Sequence, residues 1–322
     1  VSEFRKIDLS GIKRCSIENR ANKVAVELFG APLSEAGRGG VIKLVESMPH
    51  FLKANDFRSL VTRCANAVIA NKRIVLLSGA HTLKVGLSPL FIDFLRFYPN
   101  IHFATSGAGL IHDLEIAFFG STSEDVEENL KDGSFGMVKE TAQLFAEVAD
   151  IADESDIGLG EAAGILIEKE KPEYAEYSIA YNWYRNDAPY TLHISVGTDI
   201  VCQHPEYDGA KTGKASHTDF RLLCQSITEI KDGGVVLNIG SAVTMPEVFL
   251  KALTVAKNID DSLTGFTTAN FDMIRHYRPA MNVVRRPQVL GAEGYDFVGH
   301  HEIMIPLLLA AVKETAGKGV GD

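Results

Sequence analysis

Cysteine is scarce in this chain, and it is poorly spaced for binding metal. Cys15, Cys64, Cys202 and Cys224 form no CxxC pair, which excludes a zinc ribbon and leaves them as small buried hydrophobes. Positive charge is also short: 32 Lys and Arg stand against 42 Asp and Glu, for a net charge of -10. Nucleic-acid-binding domains usually carry a basic patch, so that class is excluded. No apolar run reaches the roughly 18 residues that suggest a membrane span. The opening VSEFRKIDLSGIKRC is polar, with no secretory apolar region, and the expectation is a cytoplasmic protein. The chain has no internal repeat, low-complexity stretch, long linker or HExxH motif.

What recurs instead is a short apolar run ending in Gly, Ser, Thr or Asp, followed by a helical pattern. The runs are IVLLSGAH (74–81), IHFATSGAG (101–109), TLHISVGTD (191–199), VVLNIGSA (235–242), SLTGFTTANFD (262–272) and YDFVGH (295–300). Their β-branched and Leu-rich character suits buried parallel strands. Gly86–Phe97, Leu110–Phe118, Thr244–Lys257 and Glu302–Thr315 read as the helices that follow. This alternation predicts an α/β fold, a Rossmann-like parallel sheet flanked by helices and joined by right-handed crossovers. Residues 1–70 read as a helical N-terminal extension packed on the core, and 71–322 as the Rossmann-like domain. Within the extension, APLSEAGRGG (31–40) reads as a turn or connector. Residues 121–186 read as mostly helical, with solvated acidic faces.

Ligands of such sheets bind at the carboxyl ends of the strands, near a topological switch point. That rule selects Gly79-Ala80-His81, Ser106-Gly107-Ala108-Gly109, Thr198-Asp199, Gly240-Ser241-Ala242, Thr268-Ala269 with Asp272, and Gly299-His300-His301. Small residues there let a ligand approach the backbone. His81, His112, His300 and His301 are expected to gather at this rim, each suited to proton transfer or to metal binding. The segment HPEYDGAKTGKASH (204–217), bracketed by His204 and His217, reads as a loop covering the rim. Lys84, Lys211 and Lys214 are candidate imine-forming lysines, weighed against a solvated reading. Trp183 and Tyr184 read as core or interface.

The order of these strand ends resembles deoxyhypusine synthase, over residues 70 to 315. SGAHTLKVGLSPLFIDFL (78–95) is similar to that family's first strand and helix, where a Thr-Ser-Asn turn touches NAD. TSGAGLIHDLEIA (105–117) resembles its Thr-Ala-Gly-Gly-Val-Glu-Glu-Asp-Leu segment, with Asp113 on the final aspartate and His112 in place of a glutamate. SIAYNWYRNDAPYTLHISVGTD (178–199) and VVLNIGSAVTMPEV (235–248) resemble its next two strand regions, Glu247 falling near a polyamine-contacting histidine. FTTANFD (266–272) resembles its Asn-Thr-Ala-Gln-Glu-Phe-Asp segment. YDFVGHHEIMIPLLLAA (295–311) resembles its last strand and helix, with Gly299-His300 in place of an Ala-Asp pair.

The resemblance implies a divergent deoxyhypusine synthase-like member that binds NAD. The contacts it implies are Gly79, Ala80, His81, Ser106, Gly107, Ala108, Gly109, Gly240, Ser241, Ala242, Thr268 and Asp272. It also implies a homo-oligomer, a tetramer by analogy, acting on a small-molecule substrate. The family's catalytic lysine lies in a Ser-Trp-Gly-Lys segment, and the comparable RHYRPAMNVVRRPQVLG (275–291) holds neither Trp nor Lys. Arginine cannot replace that lysine, because guanidinium stays protonated and is a poor nucleophile. The expected activity is therefore an NAD-dependent transferase or oxidoreductase acting on a small amine, amino acid or hydroxy acid, not deoxyhypusine synthesis. His112, His300, Asp199 and His81 are the expected proton-transfer residues. Arg285, Arg286 and Glu247 are the expected substrate contacts, and no metal site is assigned. Two alternatives stand beside this reading. One is a metal-assisted hydrolase or lyase using His81, His112, Asp113 and His300. The other is a non-catalytic ligand-binding protein of the same fold.

Overall fold

The computed structural model describes residues 40–318. Cys15 and residues 31–39 of the glycine-rich connector lie outside the described residues. All six apolar runs form strands, and each except β5 ends short of the polar tail of its run. They are β1 (Ile74–Ser78), β2 (Ile101–Ser106), β3 (Tyr190–His193), β4 (Val235–Ile239), β5 (Thr267–Asp272) and β6 (Glu293–Val298). They pair in parallel throughout, in the order β3-β2-β1-β4-β5-β6. The chain moves outward in one direction from β1 and in the other from β4, so the topological switch lies between these two strands.

Alternate residues of the buried strands face two apolar layers. Leu76, Phe103 and Leu237 pack on one face with the residues of α2 (Leu52–Ile69), α4 (Ser88–Phe97), α5 (Gly107–Phe119) and α9 (Ile179–Arg185). Val75, Leu77 and Val236 pack on the other with α10 (Gly209–Thr228) and α11 (Thr244–Ile259). This two-faced burial explains the continuous apolar runs. Trp183 of α9 is wholly buried and meets Phe103 edge-on, with ring centroids 5.3 Å apart. In the first turn of α1 (Gly40–Ser47), the amides of Val41 and Ile42 donate to Glu314 of α12 (His301–Lys318) at 2.7 and 2.9 Å.

Residues 209–217 are the first turns of the 20-residue α10, where the sequence suggested a covering loop. Gly209 and Gly213 argue for a loop by propensity. Asp208 overrides them by capping the amides of Ala210 and Lys211, and Thr212 and Ala215 are buried one turn apart. Lys211 and Lys214 consequently point to the aspartates of α7 (Lys139–Ser155), pairing with Asp150 and Asp153 at 2.7 and 3.0 Å.

Asp219 of α10 covers the free edge of β3. Its Oδ2 accepts from the amides of Leu192 at 2.9 Å and Gly160 at 3.2 Å. Burial pushes its carboxyl up from 3.8 to about 8. A raised folded-state value means that the native protein holds this proton longer than the unfolded chain does. The contribution to stability is full below about pH 4 and is lost as pH rises through about 8. The urea midpoint is expected to fall across this window. Asp219→Asn, which retains an acceptor for both amides, should flatten the slope between pH 6 and 8. A slope unchanged in that variant would assign the effect elsewhere.

Candidate functional site

The carboxyl ends of β1 and β4 meet without side chains between them. The amide of Gly79 donates to the Ile239 carbonyl at 2.8 Å. A Cβ on Gly79 would stand 2.0 Å from the Gly240 carbonyl oxygen, and Gly240 itself has φ +66°. The glycines let the two strand ends pack backbone on backbone, and ligands of such sheets bind in the crevice outside this switch point.

His301, not His300, faces this crevice. Its ring lies against Gly240 and makes an edge contact with His81, ring centroids 5.9 Å apart. His301 Nδ1 and Asp272 Oδ2 are both buried without a hydrogen-bond partner, and His276 Nε2 lies 3.9 Å from that carboxylate oxygen. Buried polar atoms left this way are uncommon in folded proteins and are usually completed by a ligand or water. His300 is exposed, with Nδ1 3.7 Å from Glu302.

A second part of the rim lies over β2 and α5. Here a cavity of about 200 Å³ is lined by Lys84, Ala108, His112, Glu115, Glu124 and Asp199, with Val126, Phe135 and Val138 among its covering residues. The cover, residues 121–138, is tied down by polar contacts. Glu124 accepts from the Gly136 amide at 2.9 Å, and His204 Nε2 lies 2.7 Å from the Gly136 carbonyl oxygen.

The hydrogen bonds under this cover fix the tautomer of His112. Glu115 accepts only, taking a bond from Thr141 Oγ1 at 2.8 Å and one from Thr122 Oγ1 at 2.5 Å. The Thr122 proton is thereby committed, so its oxygen must accept from His112 Nδ1–H across 2.6 Å. His112 Nε2 then carries the lone pair and has no protein partner. Burial lowers the imidazole below its ordinary value of 6.5, against the opposing pull of Glu115. The ring is a neutral, oriented proton acceptor, held as a histidine base is held by a carboxylate.

Asp199 sits on the first turn of α5. A Cβ on Gly107 would stand 2.2 Å from Asp199 Oδ2, an oxygen that is buried and unpartnered. Burial pushes this carboxyl up to about 6, opposed by the bond from the Ala108 amide. The turn Ser106–Gly109 therefore seats a carboxylate of the chain itself where the sequence suggested a dinucleotide phosphate. Gly109, in the first turn of α5, packs against Thr105 of the preceding strand β2.

Several sequence candidates fall outside both parts. Thr268 is wholly buried within β5, four residues before Asp272. Arg285 is exposed on a π-helical turn, Pro279–Arg285, and Arg286 bonds Asn282 and lines a groove along the C-terminal half of α11 with Lys257 and Asp261. Glu247 lies in the first turn of α11, pairing with Arg278 at 3.2 Å and also with Lys251. Asp113 is buried within α5. It accepts from Ser178 Oγ at 2.7 Å and from the amides of Ile179 and Ala180 at 2.7 and 3.0 Å, which caps α9. His81, His112, Asp113 and His300 thus do not converge. Among the described residues no group of three His, Cys, Asp or Glu stands where it could hold a metal ion. Glu115 and Thr122 were missed in the sequence. The His112–Glu115 spacing of one helical turn was a readable signal, whereas the contact with Thr122 across the α5 terminus was not.

No protein-family model and no curated protein matches the chain. Solved structures do. A putative deoxyhypusine synthase from Entamoeba histolytica superposes with TM-score 0.51 at 12% identity, covering 86% of this chain and 94% of that one. This chain has the deoxyhypusine synthase-like fold. A conserved putative LOR/SDH protein from Methanococcus maripaludis S2 gives TM-score 0.51 at 13% identity, covering 94% and 75%. ArgZ, an arginine dihydrolase from the ornithine-ammonia cycle in Cyanobacteria, gives 0.49 at 14% identity and covers 84% of this chain. The chain spans only 34% of the length of ArgZ. The stretch 275–291 holds the π-helical turn and a short 3-10 helix, Arg286–Leu290. Lysine enters the rim from another element, as Lys84 beside the cavity. No helix among the described residues is long and apolar enough to cross a membrane.

Proposed function

We propose that the chain is an NAD-dependent enzyme that oxidises a small amino acid or hydroxy acid at the carbon bearing the nitrogen or oxygen. The observation that carries this reading is the Glu115–Thr122–His112 chain, which presents an unprotonated Nε2 in a covered cavity next to the switch-point crevice. His112 Nε2 would take the proton from the substrate hydroxyl or amine. Lys84 would pair with its carboxylate, and Asp199 would bind the polar group on the reacting carbon. When bound, NAD would accept the hydride from that carbon.

Residues of the crevice fit a dinucleotide. Gly79, Ala80, Gly240, Ser241 and Ala242 would line the crevice with small residues, and the unpartnered oxygen of Asp272 is suited to a ribose hydroxyl. His81 and His301 lie alongside. Ser106–Gly109 would act through Asp199 rather than through phosphate.

Calorimetric titration is expected to show saturable NAD binding. Ala80→Asp, which puts a carboxylate beside the pyrophosphate, should abolish it without lowering the unfolding temperature. Hydride transfer is then read as NADH absorbance against a panel of amino and hydroxy acids. Absence of binding at millimolar NAD would overturn the proposal, and binding without turnover on any panel member would favour a ligand-binding protein.

A further inference from the structure

On the opposite face of the sheet from the His112 cavity, a separate cavity of about 260 Å³ opens between β3, α10 and α11. His193, Ser195, Ser216, His217 and Thr244 contribute its polar lining, and Gly213 its rim; none of the lining residues is an aspartate or glutamate. A lining without a carboxylate sets no like charge against a bound anion. Thr244 begins the 16-residue α11, whose first turn has no side-chain cap at Val243. Ser241 Oγ already takes the Met245 amide at 3.1 Å and Pro246 has no N–H, which leaves the Thr244 amide at the positive end of the helix dipole.

A buried chain of hydrogen bonds sets what His193 offers to this cavity. Ser226 Oγ lies 2.8 Å from His102 Nδ1, His102 Nε2 lies 2.8 Å from Thr191 Oγ1, and Thr191 Oγ1 lies 3.1 Å from His193 Nε2. Ser226 is buried, and His102 is the one acceptor its hydroxyl proton has. If Ser226 donates to His102 Nδ1, then His102 Nε2–H donates to Thr191, and Thr191 donates to His193 Nε2. The reverse direction would strand the buried Ser226 proton, at a cost of about 1–3 kcal/mol. His193 is therefore the neutral tautomer with its proton on Nδ1, the ring nitrogen that has no protein partner. Its side chain is 4% exposed and lines the cavity.

We propose that this cavity is an anion site that takes a phosphate or carboxylate group through His193 Nδ1–H and the hydroxyl and amide of Thr244. The site is independent of the dinucleotide reading and of His112. Neutral donors hold the anion, so a carboxylate added beside it should weaken binding sharply.

Gly213 permits that test. A Cβ there meets nothing within 4 Å, and the residue is within α10, so a side chain fits without displacing the fold. The wild-type protein is titrated with inorganic phosphate, then with acetate, while the ring resonances of His193 are followed by NMR. Saturable shifts of those resonances are expected with at least one of the two ions. Gly213→Asp should weaken the response about tenfold or more, and Gly213→Asn, equal in shape and uncharged, should preserve it. AMP binding more tightly than phosphate would assign the site to a nucleotide phosphate; equal binding would assign it to a free anion. No response of His193 to either ion, or a response that Gly213→Asp leaves intact, would overturn the site.

Discussion

His112→Gln lowers substrate-dependent NAD reduction about 10²- to 10⁴-fold, the range removed with a positioned general base. NAD affinity and the unfolding midpoint stay close to wild type, because His112 is not among the crevice residues and its ring bonds only to Thr122. Two companion measurements separate base chemistry from a structural role. In the wild type, the rising limb of kcat/KM against pH should lie below 6.5, since burial lowers this imidazole; the active form is the deprotonated one, so activity is lost as pH falls. Thr122→Val removes the group that fixes the tautomer and should cost about a hundredfold through misplacement of the base, whereas Thr122→Ser restores the bond to Glu115 and the rate. A wild-type rate in His112→Gln, once a substrate is in hand, would remove His112 from the mechanism and leave Asp199 as the candidate proton acceptor.

The layers of the fold were legible because a buried parallel sheet writes itself as separate apolar runs, and all six were found, four of them with the helix that follows. The rim was legible for the same reason, since strand ends fall where the apolar run stops. The partner of each rim residue was not. Nothing in the spacing says that Asp199 lies on the first turn of α5, because 92 positions separate it from Gly107 and the contact exists only once β2 and β3 are paired. His300 and His301 are adjacent and alike as sequence. The first turn of α12 sends one outward to Glu302 and the other inward onto Gly240. Arg285 and Arg286 suggested anion binding by charge alone, but the π-helical turn before β6 leaves Arg285 exposed and sets Arg286 on Asn282, along the C-terminal half of α11. The covering loop at 204–217 failed for a local reason, two glycines outvoted by an aspartate cap and tertiary burial.

Gly79→Ala tests whether the two halves of the sheet are joined as tightly as the crevice requires. The added methyl would lie 2.0 Å from the Gly240 carbonyl oxygen and 2.6 Å from its carbon, both main-chain atoms. Gly240 cannot yield by rotating, since its amide is bonded to the Phe271 carbonyl at 2.8 Å and its carbonyl follows a φ of +66°. Relief would require β1 and β4 to separate at their carboxyl ends, breaking the Gly79–Ile239 bond in the middle of the sheet. The expected loss is about 3 kcal/mol or more, at the upper end of overpacking costs, read as a lower urea midpoint or as failure to accumulate folded protein. Gly213→Ala is the control: its methyl enters open space in a helix and should stabilise by about 0.5–1 kcal/mol. If Gly79→Ala folds, a circular dichroism melt together with NAD titration distinguishes two cases. Lost stability with lost binding would tie the crevice to the close approach of the strands. Unchanged stability and binding would mean that the strand ends yield easily, and that the missing side chains at the switch point serve no ligand.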